Sequence, residues 1–115
     1  MAHHISWFEI RGQDPAKLRG FYGELFGWKA QLDPSGVYAE ISSLDAGIGG
    51  GIAPAQDPRP EGWVTVYVQV PDLKTAIAHA ERLGGKLLRP IMELPELSFA
   101  VIADPEGHAV GLMSK

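Results

Sequence analysis

A chain of 115 residues, 45% hydrophobic and 21% charged, has room for one globular domain with its own core, and is small enough that a second copy would help it. A net charge of −4 without runs of like charge leaves no electrostatic footprint for nucleic acid or an anionic membrane, and the lack of cysteine removes disulfides, thiolate metal sites and thiol nucleophiles together. No apolar stretch is long enough to span a bilayer and no charged-then-apolar leader comes first, so a cytoplasmic protein is expected.

In chain order, Ser6 to Arg11 alternates as a strand, with Phe8 and Ile10 on one face and Trp7 and Glu9 on the other. Asp14-Pro15 opens a helix, with Asp as the capping acceptor and Pro where its missing N–H costs nothing. Leu18, Phe21, Tyr22, Leu25 and Phe26 give that helix one apolar stripe, and Gly27 ends it. Trp28 to Leu32 and Val37 to Ser42 read as strands around the turn Asp33-Pro34-Ser35-Gly36. The run Gly47 to Ile52 is unusual, because glycines weaken a strand and mark a bulge or a close approach to the backbone. A linker over residues 54–62 carries the next prolines.

The pattern then repeats. Trp63 to Val70 alternates strictly, Val64, Val66, Val68 and Val70 against Trp63, Thr65, Tyr67 and Gln69. Asp72 is placed to cap a second helix whose inward stripe is Leu73, Ala76, Ile77, Ala80 and Leu83, closed by Gly84-Gly85. Lys86 to Arg89 reads as a strand, Pro90 to Leu97 as a loop and Ser98 to Ala103 as another strand. Asp104-Pro105-Glu106-Gly107 then turns the chain into a last strand through Leu112. Each half is thus β-α-β-β-β. The expected architecture is α+β, a single domain over residues 1–115 made of module 1 (5–53) and module 2 (63–115), whose mixed sheets curl around a shared concavity.

Phe21-Tyr22-x-x-Leu25-Phe26-Gly27-Trp28, Val70-Pro71-Asp72-Leu73, the exit Gly84-Gly85-Lys86 and Asp104-Pro105-x-Gly107 resemble the vicinal oxygen chelate superfamily. That group includes glyoxalase I, extradiol dioxygenases and bleomycin resistance proteins. The resemblance implies the glyoxalase/bleomycin resistance/dioxygenase fold and a homodimer. It also implies a divalent metal in the enzymes, held from the first, fourth, fifth and eighth strands. Carried onto this chain, those places fall at Trp7, among Gly49, Gly50 and Gly51, near Thr65 and at Gly111; none is His, Asp or Glu. The expectation is no metal, no cofactor and no metal-dependent catalysis.

Glycines where relatives carry inward side chains would enlarge the cup, and Trp7, Glu9, Trp63, Thr65, Tyr67, Gln69, Gly111 and Met113 are the candidate ligand-binding residues. Glu9 and Glu40 are the carboxylates whose strand parity could turn them inward. Glu9 or Tyr67 would carry any metal-free catalysis. His79 and His108 are read as exposed helical and turn-stabilising residues, and His3-His4 lacks a third metal partner. The function expected is metal-free binding of a small organic ligand, for sequestration or sensing, as in the bleomycin-resistance branch. The alternative is a lyase, isomerase or dioxygenase using the same cup.

Overall fold

The computed structural model describes residues 2–115. In chain order the elements are β1 (Ile5–Gly12), α1 (Pro15–Phe26), β2 (Ala30–Leu32), β3 (Ala39–Ile41), α2 (Ser43–Ala46), β4 (Gly49–Pro54), β5 (Trp63–Gln69), α3 (Leu73–Arg82), β6 (Lys86–Glu93), β7 (Ser98–Ala103) and β8 (Ala109–Ser114). The α+β class and the doubled β-α-β-β-β order read from the sequence are the ones the chain adopts. It divides into two compact units. The first is Trp7–Val64; the second is Thr65–Lys115 together with the residues before Trp7.

In the first unit β1 runs parallel to β4, and β3 joins β4 and β2 by antiparallel pairing. The second unit repeats this, with β5 parallel to β8 and β7 antiparallel to both β8 and β6. In both, the first strand of the module therefore lies beside the last. The Asp14 carboxylate accepts from the Lys17 N–H at 3.2 Å, and Gly27 closes α1 at φ 76°, a left-handed conformation that a side chain would oppose. Beneath α1 lies a core of Ile10, Ile41 and Ile52, to which Phe8, Leu18, Tyr22 and Trp28 are added. In the second unit Leu73 and Ile77 of α3 pack on Val70, Ala100 and Leu112. Fully burying side chains of this size contributes about 1.5–3 kcal/mol each.

Several local expectations change. Phe21, Leu25 and Phe26 are more than half exposed, so only the Leu18–Tyr22 edge of the predicted stripe reaches the sheet; Leu83 is likewise exposed. The Asp72 carboxylate makes no bond to the helix backbone. It accepts instead from the Thr75 hydroxyl at 2.6 Å. Residues 90–93, expected in a loop, continue β6. Among the described residues this strand pairs only with β7 and shifts register on both sides of Arg89, so Pro90 sits on an edge of the sheet, where a proline's missing N–H is tolerated. The short helix α2, capped by Ser42 through the Leu44 N–H, has no counterpart in the sequence reading. No helix among the described residues is long and apolar enough to cross a membrane.

Candidate functional site

Alternation along β1 places Trp7, Glu9 and Arg11 on one face, away from the Phe8 and Ile10 side that packs under α1. On that face a continuous polar chain forms. The Trp7 indole donates from Nε1 to the Tyr38 hydroxyl at 2.9 Å, and Tyr38 donates to Glu9 Oε2 at 3.1 Å. Arg11 donates from Nε to Glu9 Oε1 at 2.8 Å, from Nη2 to Oε2 at 3.4 Å and from Nη1 to the Pro54 carbonyl at 2.9 Å. The guanidinium also lies 5.9 Å from the centre of the Tyr38 ring. Glu9 is 4% exposed, so this ion pair is a buried one and depends on its full set of hydrogen bonds. Burial, with the Glu9 charge second, pushes the Tyr38 phenol well above its ordinary value, so it stays a neutral donor.

The glycine run explains how the aromatic rings are seated. A Cβ added at Gly49 would fall 2.6 Å from the Trp7 ring, at Gly50 2.2 Å from Phe8, and at Gly51 2.1 Å from the Tyr38 hydroxyl. In the second unit a Cβ at Gly111 would fall 2.3 Å from the Tyr67 ring. The expectation that glycine at 111 and at 49–51 enlarges a cup is therefore corrected: each missing side chain is replaced by a neighbour's ring. The register makes this direct, since Trp7 pairs with Gly49, Phe8 with Gly50 and Tyr67 with Gly111.

The remaining candidates divide between the units. Trp63 stands in the first, with its Nε1 buried and without a hydrogen-bond partner among the described residues. In the second unit Thr65 is buried and donates to the Ala109 carbonyl at 2.5 Å. Tyr67 meets Phe99 edge to face at 6.2 Å. Met113 accepts from the Ser6 hydroxyl at 2.9 Å. Gln69 lines a shallow recess of about 350 Å³ with Ala2, His3, His4, Val70 and Pro71. Glu40, weighed as an inward carboxylate, is exposed, and so are His3, His4 and His79. His108 does stabilise its turn: its Nδ1 lies 3.0 Å from Asp104 Oδ2, and Asp104 also accepts from the Glu106 and His108 N–H groups.

Sequence reasoning missed Tyr38 and Arg11. Arg11 was accessible, since a residue two places after Glu9 on a strand shares its face. Tyr38 was not, because its place depends on how β3 and β4 register against β1. The residues at the places assigned to metal ligands do not suit a divalent ion. They are an indole engaged with Tyr38, a hydroxyl engaged with Ala109 and glycines covered by rings. Among the described residues no three His, Asp or Glu side chains come together to bind one.

The glyoxalase-like domain family matches residues 7–113. CFP32 of Mycobacterium bovis, provisionally named a glyoxylase, is 30% identical over 116 residues, covering 93% of this chain and 44% of that protein, so the chain spans under half the length of this relative. A glyoxylase-like domain-containing protein of Didymella fabae is 30% identical, with 92% of this chain and 91% of that protein covered. Among solved structures, a glyoxalase/bleomycin resistance/dioxygenase superfamily member from Vibrio splendidus superposes with a TM-score of 0.67 at 11% identity, over 99% of this chain and 100% of the other. By the extent of the family match and the shared fold, this chain belongs to the glyoxalase-like domain family within the vicinal oxygen chelate superfamily.

Proposed function

We propose that the chain binds a small organic ligand without a metal, sequestering or sensing it in the manner of the bleomycin-resistance branch, and that the face of β1 carrying Trp7, Glu9 and Arg11 receives it. The observation that supports this most is the set of rings seated on glycine, Trp7 on Gly49 and Tyr38 on Gly51, joined to a fixed hydrogen-bonded chain. A flat ring backed by strand backbone offers a rigid surface for stacking. The Arg11 guanidinium, with N–H groups beyond those that Glu9 and Pro54 engage, adds direction at little entropic cost. Trp7 is half-buried, as a residue that meets a ligand at its outer edge would be.

A metal-free lyase or isomerase is the second reading, favoured by one contact, the 3.1 Å hydrogen bond that sets a phenolic proton beside the Glu9 carboxylate. It ranks lower because both Glu9 oxygens already receive Arg11, which makes the carboxylate a fixed counter-ion before any substrate arrives. A thermal-shift screen of planar aromatic compounds, with and without divalent ions, tests the proposal. Stabilisation by the aromatics alone, with the compound recovered unchanged, supports binding. Conversion of the compound that is lost in Glu9→Gln supports the enzyme. A stoichiometric, tightly held Ni, Zn, Fe or Mn in purified protein overturns the metal-free reading. The proposal includes a cytoplasmic homodimer that engages neither nucleic acid nor membrane, and light scattering on purified protein tests the dimer.

A further inference from the structure

Among the described residues, Trp63 Nε1 is the one buried side-chain nitrogen or oxygen without a hydrogen-bond partner. An indole nitrogen only donates, and a donor shut away without an acceptor marks a place where something from outside completes the bond. The polar groups of the same unit indicate what that is. Both Glu9 oxygens accept from Arg11, Oε2 accepts from Tyr38 as well, and the Tyr38 oxygen accepts from Trp7, so each of these acceptor atoms already receives a donor from the chain. Of the five N–H groups of a guanidinium, three are engaged by Glu9 and Pro54, which leaves donor capacity at Arg11. Trp63 is tied to that residue through the backbone. Gly62, at φ 88°, lies so close to Arg11 that an added Cβ would fall 2.0 Å from the Arg11 carbonyl oxygen, and Trp63 is the next residue.

We propose that Trp63 is the specificity-determining residue of the ligand site, its indole N–H donating to an acceptor oxygen, and that the ligand class is planar compounds bearing a carboxylate or carbonyl. This rests on the binding function proposed above and names the class of ligand for it. An organic ammonium brings only donors, and the Glu9 and Tyr38 oxygens that could accept them already receive donors from the chain. Trp63→Phe keeps an aromatic ring and removes the donor.

The full chain and its Trp63→Phe variant are titrated by calorimetry with 2-naphthoate and with 2-naphthylmethylammonium, two probes with one ring system and opposite polarity. The expected result is preference for 2-naphthoate in the wild type and, in the variant, affinity for it reduced about tenfold with Tm unchanged or raised. Equal or tighter binding of the ammonium by the wild type overturns the inference and leaves the binding function standing, a comparison that needs no variant to fold. Unchanged naphthoate affinity in Trp63→Phe also overturns it, since the indole N–H then serves hydration alone. Binding of neither probe overturns both the inference and the binding function beneath it.

Discussion

The two units build one plan twice, yet use it for different chemistry. In each, the first strand lies parallel to the last and an aromatic ring from the first covers a glycine of the last: Trp7 on Gly49, Tyr67 on Gly111. Around Trp7 the first unit places a phenol, a carboxylate and a guanidinium, all hydrogen-bonded. Around Tyr67 the second places Phe99 edge to face, with Thr65 turned to a backbone carbonyl and Met113 to a serine. The repeat therefore preserves geometry and frees chemistry. Ring on glycine is the shared support, and the ion pair is an addition made by one half.

If so, the largest loss comes from breaking that addition. Arg11→Met leaves Glu9 buried and uncompensated and is expected to cost about 3–5 kcal/mol in urea unfolding. Adding Glu9→Gln to it should recover part of the loss, and a double variant as unstable as the single would deny that the pair is the difference between the units. Next comes the shared support. Gly51→Ala and Gly111→Ala each force a ring aside and should cost about 1–3 kcal/mol apiece, one in each unit. A neutral result at either position would show that the seating is not common to both.

A third difference is in alkali. Because the folded state holds the Tyr38 proton more tightly than the unfolded chain, its contribution is complete below the ordinary tyrosine value of 10.0 and is lost as pH rises beyond it. Tyr38→Phe should flatten the fall in stability above that pH and leave the profile below it parallel to wild type. Smallest is the exposed Asp104–His108 turn, where hydrogen bonds from the His108 backbone hold the carboxyl below its ordinary 3.8. Its contribution is present above that value and lost as pH falls through the lowered one, so Asp104→Asn should remove a slight acid limb from the Tm profile.

What the sequence disclosed follows the range of the interactions. The α1 cap, the Gly27 exit and the Asp104 turn are local, and each is satisfied within a few residues of where it is written. The doubled module order was also legible, because periodicity and turn chemistry repeat. Pro90 misled because an edge position forgives a proline and a central one does not, and the edge is decided by partners elsewhere in the chain. The glycines misled for a related reason. A missing side chain reads as space until one knows which ring lies opposite, and Tyr67 over Gly111 is a matter of register. The Glu9–Arg11 pairing was present in the spacing and went unread; the Tyr38 bridge was not there to read.

Three successive glycines leave β4 with nothing of its own to announce which residue should stand opposite which. Its alignment is measured out by other parts of the chain. Sliding it one place along β1 in one direction would bring Ile48 opposite Trp7; in the other, Ile52 would leave Ile10 and come opposite Glu9. The rings that lie against the glycines and the isoleucine that follows them, rather than the glycines themselves, thus hold β4 in its place along β1.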